Sequence, residues 1–345
     1  MKLYRSIFIF YIFVNAEFSV ADVMMTADDH APISVMNDHM HKKGQFMLSY
    51  RLGNMKMDDV MNGNDSLTLE EIMTAPNSAS DGSGTYMNAP VRMSMDMHMF
   101  GGMYAPSDYL TLMIMGNYSQ KHMTQQRMKM SGSGRFDVDS DGFGDLAISA
   151  MISLHENQKY NSHIGVGISL PTGSIDKRDV TPASSSARLG YAMQNGSGTY
   201  DPFILLNNDY TIGNMKLGGQ LYYKIRAGSK NSKEYQYGNF FHSTAWSTYQ
   251  WTKSISTSLK LDYQNLGKMS GSDDEMNPRM SPAMDANNQG YQKINFGFGL
   301  NFLNHRNLFK HHRLGIEIIL PLYQRYRGIQ MADEFKSMLG WQYGF

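Results

Sequence analysis

The chain has 345 residues, no cysteine, and 31 Lys or Arg against 31 Asp or Glu. The lack of cysteine excludes disulfides, thiolate metal sites and cysteine nucleophiles, and zero net charge argues for no nucleic-acid or acidic partner. Hydrophobic residues make up 41%, and no stretch approaches the roughly 20 consecutive apolar residues of a membrane helix; a membrane β-barrel, in which only every second strand residue faces lipid, remains compatible with so polar a chain.

In chain order, Lys2 and Arg5 precede the apolar run Ile7 to Val14, and Ser19-Val20-Ala21 supplies small residues at the positions of a cleavage site. Residues 1–21 are therefore expected to be a secretory signal peptide. Residues 22–44 carry no periodic pattern and are expected to be a Met/His-containing periplasmic segment outside the strands. From 45 to 345 the sequence alternates with period two, the signature of strands. Ile294, Phe296, Phe298, Leu300 and Phe302 alternate with Lys293, Asn295, Gly297, Gly299 and Asn301; Leu314, Ile316, Ile318 and Leu320 alternate in the same way with Arg313, Gly315 and Glu317. One face is free of charge and the other holds charges of both signs with many glycines, which predicts lipid outside and a polar lumen inside.

Twelve strands are predicted, over 45–54, 91–104, 108–119, 143–155, 161–171, 201–212, 215–227, 239–251, 254–265, 291–303, 311–323 and 337–345. Their connections alternate. Long polar stretches such as 56–90, 120–142, 172–200 and 266–290 follow odd-numbered strands, and tight turns such as Ala105-Pro106-Ser107 and Gly213-Asn214 follow even-numbered ones. Long outer loops and short periplasmic turns are the rule of outer-membrane barrels. The fold class expected is thus all-β, an antiparallel up-and-down transmembrane barrel in a bacterial outer membrane, with lipid as its outer partner. Leu339, Trp341, Tyr343 and the terminal Phe345 share one face of the last strand, which resembles the signal read by the barrel-assembly machinery.

Three phrases carry a family resemblance: Gly142-Phe143-Gly144-Asp145, Leu170-Pro171-Thr172-Gly173, and Gly196-Ser197-Gly198-Thr199-Tyr200-Asp201. They resemble the outer-membrane barrels named after the MetA pathway of phenol degradation, over residues from about 39 to 345, and imply a transporter-like barrel of undefined substrate. Asp38-His39-Met40-His41 and Met95-Asp96-Met97-His98-Met99 look like a Met/His-rich branch of that family, often associated with copper handling.

Methionine numbers 30. Thioether and imidazole suit copper, Cu(I) above all, so copper is the one cofactor the residue types suggest. The metal candidates are His30, Met36, His39, Met40 and His41 in the N-terminal segment, and His98, Met113 and Met115 as a patch inside the barrel. On the second strand, keeping charge away from lipid turns Arg92, Ser94, Asp96 and His98 inward and Met93, Met95, Met97 and Met99 outward. On the third, Leu110, Leu112 and Ile114 take the lipid face and turn Met113 and Met115 inward. The predicted lumen carries Arg51, Arg92, Lys216, Lys224, Arg226, Lys260, Lys293 and Arg313 against Asp96, Asp145, Asp262 and Glu317. Such a lumen would weakly favour anionic or polar solutes, although a barrel of this size is also close to the range that side chains can fill.

Asp137-x-Asp139-x-Asp141-Gly142 begins like a calcium loop, but the twelfth position is Ile148 in place of the bidentate Glu, leaving an acidic loop tip. His242-Ser243 supplies the residue types of a lipid hydrolase, yet neighbours on a strand point to opposite faces, and no G-x-S-x-G elbow is present. The functional expectation is a barrel that passes or handles a small solute without covalent chemistry. The alternatives are a copper-associated barrel whose N-terminal segment captures metal, and an outer-membrane hydrolase.

Overall fold

The computed structural model describes residues 26–79, 84–127, 134–305 and 310–345; the expected signal peptide, 1–21, lies outside the described residues. The strands are β1 (Phe46–Gly63), β2 (Asp65–Ser66), β3 (Asn88–Ser107), β4 (Leu110–Arg127), β5 (Arg135–Phe143), β6 (Leu146–Glu156), β7 (Tyr160–Leu170), β8 (Arg178–Thr181), β9 (Ser184–Arg188), β10 (Asp201–Ile212), β11 (Met215–Lys224), β12 (Tyr235–Gln236), β13 (Phe240–Thr252), β14 (Ile255–Leu266), β15 (Ser270–Gly271), β16 (Tyr291–Leu303) and β17 (His312–Gly344). One antiparallel sheet of 13 strands closes on itself through β17 and β1, with β2 and β5 outside the ring. Closure removes the free edge that would otherwise leave backbone groups unsatisfied in lipid.

β17 alone is 33 residues long, about 110 Å if straight at ~3.3 Å per residue, far more than a bilayer. It folds back instead. Residues 313–326 pair with β16 and residues 326–344 pair with β1. Gly328 takes a φ of 74° at the bend, a left-handed conformation that suits glycine. Gln324 Nε2 donates to the Asp333 carbonyl at 2.9 Å, and Trp341 Nε1 reaches His312 Nδ1 at 2.9 Å, across the two arms. The wall therefore has twelve crossings, as expected, the last two forming one continuous hairpin.

The outer surface confirms the alternation. Phe298, Leu300, Leu314, Ile316, Ile318, Leu259, Leu261, Leu221 and Val166 are all exposed. Their partners on the same strands, Lys260, Asp262, Arg313 and Glu317, are buried inside. Burial of charge and exposure of isoleucine is the inverse of a soluble protein, and only an apolar solvent makes it favourable. At the tight-turn rim the C-terminus closes the ring: Phe46 N–H donates to the Phe345 carbonyl at 2.7 Å, and Phe345 N–H returns to Phe46 at 2.9 Å. Phe46, Tyr104, Tyr343 and Phe345 stack there.

Two expectations about the wall are corrected. Met93 and Met103 are buried inside, while Phe100 and Tyr104 are exposed outside, so β3 presents its odd-numbered residues to the lumen. Arg92, Asp96 and His98 consequently face outward, and Met93, Met95, Met97 and Met99 inward. β3 is 20 residues long, whereas a crossing needs about 9–11. Counted from the turn at its C-terminal end, Asp96 and Arg92 lie at or beyond the outer edge of the apolar band, where a charge no longer meets hydrocarbon. Arg92 pairs with Asp58 at 3.2 Å, and His98 accepts or donates to the Tyr50 hydroxyl at 2.8 Å.

The second correction concerns Asp137, Asp139 and Asp141, which belong to strand β5 and not to a loop tip. Each is engaged by a neighbour on β4: Thr124 with Asp137 at 2.7 Å, His122 with Asp139 at 2.7 Å, and Tyr118 with Asp141. The expected loops 56–90 and 120–142 are likewise shortened by strands that continue past the membrane.

Candidate functional site

The N-terminal segment does not hang outside the strands. It enters the lumen at the tight-turn rim, where Ala27 N–H donates to the Lys253 carbonyl at 3.0 Å, and leaves at the same rim, where Gly44 N–H donates to Ala105 at 2.8 Å. Between these points it fills the lower barrel as a plug. The physical reason lies in the inner face. A lumen lined with buried Arg, Lys, Asn and Gln must satisfy those groups, and the segment's backbone supplies the acceptors.

Seven wall side chains hold seven successive regions of that backbone. Ser256 donates to Ala27 O, Lys216 to Asp29 O, Arg313 to Ala31 O, Arg51 to Ile33 O, Gln220 to Met36 O, His163 to Asn37 O and Asn207 to Asp38 O, at 2.8 to 3.2 Å. Ser34 N–H adds a bond to Glu317 Oε2 at 3.0 Å, and its hydroxyl accepts from Lys260 Nζ. Lys260 lies 2.9 Å from Glu317 and 3.2 Å from Asp262, so the wall charges neutralise one another around the plug. Ile33 is accommodated by missing side chains: a Cβ at Gly340 would fall 2.3 Å from its Cγ1, and one at Gly315 2.9 Å from its Cβ. Ala31 and Val35 pack on Trp246.

Above the plug lies a chamber of about 620 Å³. Met36 and Asn37 form its floor. Met95, Met97, Met113 and Met115 line one wall, with Phe203, Tyr222, Tyr237, Phe240 and Tyr291 on others. Lys121, Lys224 and Arg226 face it together with Asp145. The 172–200 connection covers it, with Lys121 Nζ donating to the Ala192 and Gln194 carbonyls at 3.0 and 2.5 Å. That cover is itself pinned by buried Arg188, whose guanidinium grips Asp273 Oδ2 at 2.5 to 3.0 Å, and by a cluster of Tyr191, Tyr235, Met269 and Met276.

Within the plug, three imidazoles and a carboxylate converge. His30 Nδ1 is 2.9 Å from His39 Nδ1, and His39 Nδ1 is 2.9 Å from Asp38 Oδ1. His30 Nδ1 is 3.8 Å from Asp38 Oδ2. On its other side His39 Nε2 meets His41 Nε2 at 3.2 Å. Burial, followed by repulsion from His39, holds the His30 imidazole well below its usual range and takes His41 down to about 3. Burial would raise Asp38, but the neighbouring His39 and His30 outweigh it and keep the carboxyl ionised.

Of the expected metal candidates, His30, His39 and His41 are thus brought together. Met36 instead floors the chamber, and Met40 packs on the cluster of Met47, Met103, Met113 and Met151. The inner patch of His98, Met113 and Met115 does not form, because His98 faces outward. Of the expected lumen residues, Arg51, Asp145, Lys216, Lys224, Arg226, Lys260, Asp262, Lys293, Arg313 and Glu317 all face inward; Arg92 and Asp96 do not. Sequence reading missed Asp38 and Ser34, and also Asp333, which pairs with Lys293 at 2.9 Å. His163 and Gln220, which hold the plug backbone, are also inner-face residues.

His242 does approach an acid and a hydroxyl, Asp262 and Thr244, each at 3.0 Å. Both meet the same nitrogen, Nε2, so the imidazole cannot relay a proton from one to the other through its two nitrogens.

A closed barrel with an apolar outer belt and a charged lumen is the architecture of a transmembrane β-barrel. Residues 77–316 match the family model described as "Putative MetA-pathway of phenol degradation", and the chain belongs to that family. Among solved structures it is similar to an outer membrane channel from Pseudomonas putida F1, with a TM-score of 0.60 and 11% identity, covering 91% of this chain and 100% of that one. It is also similar to the TodX monoaromatic hydrocarbon channel, with a TM-score of 0.43 and 8% identity over 89% of this chain and 92% of that one. No curated protein matches the sequence.

Proposed function

We propose that this protein resides in the bacterial outer membrane as a channel for a small solute, closed at rest by its own N-terminal segment. The observation that carries this reading is the plug seated beneath a chamber of about 620 Å³, a volume within the range of ~300–1,000 Å³ typical of small-molecule sites. The thioether and aromatic lining suits an apolar body. Lys121 and Lys224, with Asp145 facing them and Arg226 paired to Asp201, suit a polar or anionic handle. Passage toward the tight-turn rim requires residues 27–41 to move, since they occupy the only part of the lumen below the chamber that the described residues leave to them. No covalent step is needed. Planar-bilayer recordings on the full chain and on a variant lacking residues 26–41 test the proposal. The full chain should conduct weakly or in brief openings, and the deletion should conduct continuously. Equal conductance of two folded barrels would refute a plugged channel.

A further inference from the structure

We infer that His30, Asp38 and His39 form a binding site for a divalent transition ion of the zinc or copper(II) class, with His41 as the positioning residue behind His39. The donor spacings motivate this. A tetrahedral ion with bonds of about 2.0–2.1 Å sets its ligands about 3.3 Å apart. The three donor groups here are separated by 2.9, 2.9 and 3.8 Å, and all their ligand atoms fall within 4.8 Å of one another. His30 and Asp38 are almost wholly buried, so the cluster is not a chance meeting of mobile surface groups.

The donor set is nitrogen and oxygen with no thioether in it, which favours a borderline divalent ion over Cu(I). His41 supplies the outer support such a ligand usually has. When an ion takes His39 Nδ1, the proton moves to Nε2 and is donated to His41 Nε2 at the observed 3.2 Å. Three protein ligands leave a fourth position open for water.

All the ligands lie in one stretch of the plug, between residues 30 and 41. The ion would therefore clip the plug to itself and not to the wall, favouring the folded, seated form. This part of the inference rests on the plug described above, but ion binding is read independently of conductance.

The test uses the full chain in detergent, stripped with chelator and titrated separately with Zn²⁺ and Cu²⁺ by calorimetry, with metal counted by mass spectrometry. About one ion per chain should bind at micromolar concentration or below. His39→Ala should weaken binding at least 100-fold, and His41→Gln about 10-fold. His155→Ala, a change at an exposed histidine on the turn rim, should have no effect. The Cu²⁺ form should show nitrogen hyperfine splitting from two imidazoles, lost in His39→Ala. Absence of stoichiometric binding by either ion would overturn the inference, as would wild-type affinity in a folded His39→Ala variant. Heat-modifiable mobility on gels establishes that each variant is folded.

Discussion

Replacing Arg51 and Arg313 together by methionine should unseat the plug while sparing the barrel. Arg313 is 1% exposed and donates to Ala31 O at 2.8 Å; Arg51, 3% exposed, donates to Ile33 O at 2.8 Å. A buried hydrogen bond from a charged donor contributes about 1.5–3 kcal/mol, so two removed bonds cost the seated state about 3–6 kcal/mol. The two guanidinium groups also repel each other, and removing both relieves that repulsion. Neighbouring changes of this kind are not additive, and the expected loss is near 3 kcal/mol. At about 1.4 kcal/mol per factor of ten, the ratio of seated to unseated plug should fall roughly 100-fold. Single-channel recording measures this as an increase in open time, and limited proteolysis measures it as faster cleavage within residues 26–45. Methionine keeps the apolar volume, and the folded wall is checked by heat-modifiable mobility. A folded double variant with wild-type open time and wild-type protection of the plug would refute the argument that these two bonds hold it.

Other substitutions probe the wall, its closure and its cover. Phe298→Arg places a charge against hydrocarbon and should cost roughly 2–4 kcal/mol in urea unfolding from vesicles. Gly297→Ser, on the lumen side, should cost about 1–3 kcal/mol by overpacking, because a Cβ there would lie 2.5 Å from Glu317 Oε1 and 3.0 Å from Lys260 Cε; a neutral Gly297→Ser would show that the lumen is not filled at this level. Phe345→Asp removes a ring stacked on Phe46 and Tyr343 and should lower the yield of inserted barrel several-fold, measured as heat-modifiable protein in the membrane fraction. In the outer cover, hydrogen bonds from Lys233 and then Arg178 hold Glu275 down to about 2. A depressed carboxylate stabilises fully above its unfolded pKa of about 4.5 and loses that contribution as pH falls toward 2. Pepsin cleavage within residues 172–200 should therefore rise between pH 4.5 and 2 by more than the protease's own pH profile, and Glu275→Gln should flatten the rise.

The lipid-facing wall was legible because hydrocarbon tolerates so little. On β14, β16 and the first arm of β17 the outer face carries no charge at the level of the membrane, and period two alone assigns each residue there. β3 resisted the same reasoning. Its methionines are acceptable to lipid and to lumen alike, and its charges lie on the part of the strand that outruns the bilayer, so the rule against charge in hydrocarbon was applied where there is none. The plug could not be read at all. Its anchors are main-chain carbonyls, which every sequence possesses, and the matching donors are scattered from Arg51 to Arg313 with no common motif. His163 on β7 and Gln220 on β11 fall on the inner face, but nothing local in the sequence says that they await a partner from the other end of the chain. The histidine cluster was half visible: His30, His39 and His41 stand close in sequence, whereas the role of Asp38 depends on a fold that brings position 30 back to it.

Both ends of the plug cross the same rim, at Ala27 beside Lys253 and at Gly44 beside Ala105. The described segment is therefore a loop pushed into a tube and not a thread drawn through it. Its withdrawal would not require parting a single rung between β17 and β1. Assembly and opening are thereby separate problems: the ring can close first, around water, and the stopper can follow. The segment joins the wall at Phe46, the first residue of β1, so if it leaves as proposed it stays attached within reach of its seat, and reclosure would need no encounter with a free partner.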